Sequence, residues 1–544
     1  MQIHSASTQE VSRPTESAPS ANLKTYIYAG KLFDSVTGSI LSNQVIIVNR
    51  TTGRIIRVRP FTLANEPETL VGASGVEIVD LRHLLVVPGF VDVHVHLFLH
   101  PYSETSWDDQ LTLETLVERT VRATNHARQT LLAGFTTVRD LGTEGAGDAD
   151  VSLRKCINDG LIPGPRYFCA NRAIVSTGSY GPKSALHPNR EGIEGITGAE
   201  VADGVDACGR AVRRQIGAGA DWIKIYADYR VLARHSSSST PALSRLSLPT
   251  FSAAELEAMI STAHSHTYAP LQLGNDDPTA EIKPLKPLIR VAAHATNIAT
   301  IKSLLHLKID SVEHGTDMFG QPEVEGRRKT DPGESLPPLK TCDIEEVVQL
   351  FEESKATWVP TLAAYYTLQS GSGRKDGRGG LDTWQRGQRT FKAALPYISA
   401  FGKHAPDEHI PSRPRMRVAV GGDTGVFAHG DNALEMKLMA RLGADWRDVL
   451  RWGTLGGWAC ITGNDIGGVE DAAREGHELY ADEESVQCVP FGAIRAGWAA
   501  DLVGLTGDVE SFGVDGASFE RAIDRESGVR FVMKAGAVLR WDRN

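Results

Sequence analysis

Two rhythms of hydrophobic and polar positions divide the chain. Near its start, "TYIYAGKLFDSVTGSILSNQVIIVNRTTGRIIRVRP" alternates short β-branched runs with Gly and Asn turn residues, the mark of a hairpin-rich β segment. The same rhythm returns at the far end in "DLVGLTGDV" and "VRFVMKAGAVLRW". Two all-β stretches, one at each end, predict a small β-sandwich built from residues 25–85 plus 488–544.

Between them the rhythm changes. Helical stretches such as "TLETLVERTVRATNHARQTLLAGF", "GVDACGRAVRRQIGAGA", "SAAELEAMISTAHSHT" and "DIEEVVQLFEESKA" alternate with short apolar runs. Those runs are "VVPGFVDVHVH", "TTVRD", "RYFCANRA", "DWIKIYAD", "IRVAAHAT", "IDSVEHGT", "WVPTLAA" and "VRVAVGGDTG". Strands alternating with helices imply a parallel sheet, and eight of them fit a closed (β/α)8 TIM barrel over residues 86–487. Segments rich in Gly, Pro, Ser and charge at 234–250, 271–287, 321–340, 370–380 and 470–487 interrupt the rhythm and read as surface or lid-like loops. The insertion at 271–287 precedes the fifth strand and is expected at the bottom of the barrel. That at 321–340 follows the sixth and is expected over the top.

Composition narrows the partners. A net charge of −10 without any Lys/Arg run gives no face for nucleic acid or an anionic membrane, so a small-molecule substrate is expected. Six scattered cysteines suggest neither a disulfide framework nor a thiolate zinc knuckle. The first 24 residues read as a Ser/Thr/Pro/Glu-rich disordered tail without the apolar core of a secretory signal, and a cytoplasmic location is expected. A homo-oligomer is compatible with all of this.

The chemistry concentrates at the strand ends. His94 and His96 are two apart on the first barrel strand and so share a face. Lys224 ends the fourth run, His294 the fifth, His314 the sixth and Asp423 the eighth. A polar group at the end of an apolar run is costly to bury unless paired or coordinated, and barrel enzymes place their active sites at these C-terminal ends. Four imidazoles, a carboxylate and an amine suit one or two divalent ions. Zinc fits this donor set, as do manganese, iron or nickel, whereas calcium and magnesium prefer more oxygen. Lys224 is either a counter-charge for substrate or, after reaction with CO₂, an anionic carbamate ligand.

This constellation resembles the amidohydrolase superfamily. The motifs "GFTTVRDLG", "GPRYF", "DWIKIYADYR", "VAAHAT", "SVEHGTD", "GDTGVFAHGDNALEMKLM" and "GAIRAGWAADLVGL" are similar to its imidazolonepropionase-related branch, which includes Xaa-Pro dipeptidases and ochratoxin-type amidases. The resemblance covers residues 25–540 and implies a distorted barrel carrying two metal ions. It further implies that His94, His96 and Asp423 hold the more buried ion, that N6-carboxylated Lys224 bridges, and that His294 and His314 hold the second ion. It implies attack by a metal-bridging hydroxide on an amide bond, in a dipeptide, an N-acyl amino acid or an ochratoxin-like compound. Asp423 then acts as general base and acid. Hydrolysis of a cyclic amide, an imidazolone or a lactone is the alternative, and a non-catalytic scaffold a third reading.

Substrate contacts are less marked. Tyr229 and Arg230 follow Lys224, and in such relatives this segment lies beside the substrate. Arg230 is then a bidentate clamp for a carboxylate, against a surface or structural arginine as the competing reading. "STGSYGPK" offers Tyr180, or is a plain loop. His429, after the eighth strand, is read either as a substrate contact or as a cap. His100 is expected at the rim, and His187, His264, His266, His306 and His404 as solvated or packing. The "RVLARHSSSS" after Arg230 departs from the Trp-Gly-Pro continuation of the dipeptidase-like relatives, so the resemblance extends to the metal site but not to the substrate pocket.

Overall fold

A computed structural model describes residues 23–62, 75–181, 198–230, 247–268, 286–320, 341–369, 380–404, 416–466, 489–514 and 516–542. The insertion at 321–340 lies outside these residues, as do 271–285 of the first insertion, His187, and most of the other loop segments named above.

The alternating interior begins with Trp222–Tyr226. Ile223 and Ile225 face outward into the large core shared with Val212, Leu256 and Met259 of the surrounding helices. Each is fully buried, worth roughly 1.5–3 kcal/mol. The period of two then turns Trp222, Lys224 and Tyr226 inward. This strand pairs in parallel with Arg290–Asn297, which pairs with Ser311–Asp317, then Thr357–Val359, then Arg417–Val418. A second parallel set joins Phe90–Val95, Phe135–Asp140 and Arg166–Cys169.

Main-chain hydrogen bonds link the two sets at both seams. At one, the Asp221 amide donates to the Cys169 carbonyl (2.8 Å) and Ala173–Val175 continues the third strand to pair with the fourth. At the other, the Val93 amide donates to the Val420 carbonyl (2.9 Å) and Val95 bridges Thr424. The eight runs read from the sequence therefore follow one another round a parallel α/β ring. Two are shorter than their apolar runs. "WVPTLAA" is a strand only over Thr357–Val359 before turning into the helix Leu362–Gln369. "VRVAVGGDTG" is a strand only over Arg417–Val418, and beyond it Gly421 passes close to both the first and the seventh strands. A Cβ there would lie 2.5 Å from Val359 Cγ1 and 2.8 Å from His94 Cβ.

Helices on the outside start where the side chains satisfy their free amides. Thr115 caps Leu116–Leu132 by accepting from the Glu118 amide, and Ser252 with Glu255 forms a capping box at Ala253–His264.

The two chain ends meet in one seven-stranded sheet, in the order Ala537–Trp541, Val529–Lys534, Leu502–Leu505, Val76–Pro88, Lys24–Phe33, Ile40–Asn49, Arg54–Pro60. Its last strand curls back to the segment before Leu502: the Ile55 amide donates to the Trp498 carbonyl and the Ala500 amide to the Gly53 carbonyl. The fold encloses Ile27, Leu32, Val48, Leu84, Phe531 and Met533. Among the described residues no helix is long and apolar enough to cross a membrane.

Candidate metal centre

The first barrel strand delivers His94 and His96 to the ring's C-terminal end, and the eighth delivers Asp423. One ligand atom from each lies within 4.8 Å of the others. His96 Nε2 is 3.2 Å and His94 Nε2 3.6 Å from Asp423 Oδ1. The far side of each imidazole is held. His94 Nδ1–H donates to Glu313 Oε2 (2.8 Å), and His96 Nδ1–H to the Gly142 carbonyl (2.8 Å), which turns each Nε2 towards Asp423.

The other donors converge on the same place. The His94 and His314 rings are 5.3 Å apart between centroids, and His314 and His294 are 4.3 Å apart. His314 Nδ1 is bonded to Thr361 Oγ1 (2.7 Å). Lys224 is 1% exposed, and its Nζ has no hydrogen-bond partner among the described residues. Four residues at this end, Glu144, His314, Thr361 and Asp423, have positive φ (50°, 75°, 52° and 58°). Such strain persists where surrounding contacts over-determine the backbone.

Electrostatics follow from burial and proximity. Burial pulls the Lys224 ammonium down to about 8 and His94, with Lys224 beside it, down to about 4. Burial and the neighbouring cationic groups hold His294 and His314 well below the usual histidine range. His96 moves the other way. Burial opposes its charge, but the hydrogen bond and attraction of Asp423 push it up to about 9. Asp423 would rise by burial alone; His94, His96 and Lys224 hold it well below the usual carboxylate range instead. A carboxylate kept ionised among imidazoles, with an orphaned buried amine nearby, suits divalent cations.

A layer of partners unseen in the sequence supports these residues. Glu313 Oε1 accepts from Arg139 Nη2 (2.9 Å), and both side chains are fully buried. Arg139 also donates to the Val93 carbonyl and lies 4.3 Å from the Trp222 ring centroid. Asp92 accepts from Asn432 Nδ2 (2.8 Å), Thr424 Oγ1 and the amides of His94 and Gly422, tying the first strand to the eighth. The "VEHG" and "VRD" motifs contain Glu313 and Arg139, and a charge buried in an apolar run is the signal that marks them.

The weaker site expectations fall in different places. Tyr229 lies edge-on to His294 with 5.4 Å between centroids, and Arg230 is near enough to His294 to lower its basicity. Tyr180 is buried, its hydroxyl donating to Glu144 and its ring packed on Tyr226 and Tyr229. His429 donates from Nε2 to the Leu99 carbonyl (3.0 Å) and stacks on His126, a packing position beneath the His96–His100 turn. His100 is not at a rim. It is fully buried, with Nε2 2.6 Å from Glu114 Oε1, because residues 104–114 fold over it.

Residues 85–269 match the model of the Amidohydrolase family. Among individual proteins, ochratoxinase from Aspergillus niger is 31% identical over 167 residues, covering 28% of this chain and 32% of that protein. The chain thus spans about a third of the length of the curated relatives it matches. Among solved structures, an Xaa-Pro dipeptidase with bound methionine in the active site superposes with a TM-score of 0.64 at 23% identity, over 95% of this chain and 100% of that one. The A. niger ochratoxinase structure gives 0.63 at 20% identity, over 95% and 96%. At these identities the likeness is one of fold, and it agrees with the ring described above.

Proposed function

We propose that the protein is a metal-dependent hydrolase of amide C–N bonds in small molecules. The observation that carries this reading is the convergence of His94, His96 and Asp423 within 4.8 Å of one another, with Lys224, His294 and His314 around them. His94, His96 and Asp423 would hold one divalent cation, His294 and His314 a second, and Lys224, as its carbamate, would lie between the two. Zinc fits these donors, as do manganese, iron or nickel. Cations bound there supply a Lewis acid for the scissile carbonyl and a water acidified towards neutrality.

The chain's own residues supply the rest. Asp423 takes a proton from the attacking water at its carboxylate and returns it to the leaving amine. Glu313 and the Gly142 carbonyl keep the His94 and His96 rings turned the right way. Arg230 and Tyr229, beside His294, receive the substrate's free carboxylate. Together these features favour a dipeptide or N-acyl amino acid, a class that includes ochratoxin-like amides. The names of the similar proteins, ochratoxinase and Xaa-Pro dipeptidase, point the same way.

The test is a hydrolysis screen of N-acyl amino acids, dipeptides and lactones with enzyme reconstituted with Zn²⁺ or Mn²⁺. Turnover of amides is expected. Turnover of lactones or esters alone would overturn the amidase assignment, and a metal content near zero after reconstitution would make the barrel a binding scaffold.

A further inference from the structure

We propose that Glu144 is a positioning residue that holds His294 in place through Tyr226. The proposal rests on the reading that His294 holds a metal ion.

Glu144 sits in the turn after the second barrel strand, at φ 50° and 2% exposed. Three donors reach its carboxylate. Trp107 Nε1 (3.1 Å) and the Tyr180 hydroxyl bond to Oε2, and the Tyr226 hydroxyl is 3.4 Å from Oε1. Tyr226 ends the fourth strand two residues after Lys224, so both point into the ring. Its ring lies flat against the His294 imidazole, 4.8 Å between centroids and 17° between planes. Held at its hydroxyl by the buried carboxylate and by the Tyr180 side chain, the phenol is restrained from swinging, and the imidazole stacked on it is restrained in turn.

The same turn carries a second contact. Its Gly142 carbonyl accepts from His96 Nδ1, and the turn is clamped from behind by Arg119 Nη2 on the Thr143 carbonyl (3.0 Å) and by Asp140 on the Gly142 amide (3.1 Å). One loop of the second strand therefore bears on an imidazole from each half of the donor set: on His96 directly, and on His294 through the carboxylate and the phenol. Nothing else in the mechanism uses Glu144, yet a carboxylate so deeply buried is retained only with partners that need it.

Glu144→Gln keeps the side chain's shape and Tyr226→Phe keeps the ring, so each removes part of the link without emptying space. Zn²⁺ is titrated into the full-length wild type, both single variants and the double variant against a chromophoric chelator, with urea unfolding alongside. Each single variant is expected to bind one Zn²⁺ equivalent about 10-fold more weakly, the range seen when outer partners of metal ligands are removed. If Glu144 acts through Tyr226, the double variant loses about 10-fold as well, not about 100-fold. Unchanged affinity in both single variants would overturn the proposal, as would a multiplied loss in the double variant. A lowered urea midpoint with wild-type Zn²⁺ affinity would reduce Glu144 to packing. A wild type that takes up no Zn²⁺ would overturn this proposal and the proposed function together, whereas the other adverse outcomes overturn this one alone.

Discussion

His94 Nδ1 lies 2.8 Å from Glu313 Oε2, and neither side chain is more than 1% exposed. The two residues are 219 positions apart. The carboxylate is shared with Arg139, which with the neighbouring His94 overcomes burial and draws Glu313 down to about 2. Replacing Glu313 with Ala strands a buried guanidinium and frees the His94 ring. A loss of about 3–5 kcal/mol in urea unfolding is expected, together with a 10- to 100-fold weaker metal affinity in a chelator titration. A variant that unfolds like the wild type would show that Arg139 finds another partner.

Asp423 is the residue whose carboxylate both imidazoles approach. Asp423→Asn keeps its size but, in the mechanism proposed above, cannot accept the proton of the attacking water. Its kcat should fall about 10²- to 10⁴-fold on a substrate from the amide screen, while KM changes little. Steady-state kinetics on the reconstituted variant read this directly, and full activity would remove Asp423 from the proton path.

Lys224 opposes stability in the metal-free chain, because its buried amine has no hydrogen-bond partner among the described residues. Lys224→Met replaces a costly polar group with an apolar one of similar length. The metal-free variant should melt at the same temperature as wild type or higher, yet retain less Zn²⁺ after dialysis. A melting temperature lowered by several degrees would mean that the ammonium makes a contact of its own.

Acid should loosen the turn after the first strand. His126 donates from Nδ1 to the Leu97 carbonyl (2.8 Å) and stacks on His429 at 4.3 Å, and burial pulls it from the ordinary 6.5 down to about 4. Between these values the unfolded chain binds a proton that the folded chain does not. This contribution is therefore complete above pH 6.5 and lost as pH falls towards 4, roughly 3 kcal/mol in all. Urea midpoints measured from pH 7.5 to 4.5 should decline, and His126→Gln should flatten the decline. An equal slope in the variant would assign the acid sensitivity to other groups.

Part of the site is legible in the order of residues alone. Alternation in a strand places His94 and His96 on one face, and ionisable residues closing apolar runs mark Lys224, His294, His314 and Asp423. Those signals are local: a period of two residues and a polar group where burial is expensive. The misplacement of His100 has the opposite origin. Its position just past the strand suggests a rim, but residues 104–114 fold back over it, and no periodicity in "LFLHPYSETSW" announces that cover.

What the sequence by itself determined is therefore the alternation of strands and helices and the residue at each strand end, because backbone geometry and the cost of burying charge act within a few residues. What only the tertiary structure decided is the set of partners that hold those residues still: Glu313 on His94, the Gly142 carbonyl on His96, Thr361 on His314, and Glu144 with Tyr226 beside His294. These contacts join different strands of a closed ring. Their hydrogen bonds depend on ring closure bringing distant loops to one end, and spacing along the chain carries no record of that.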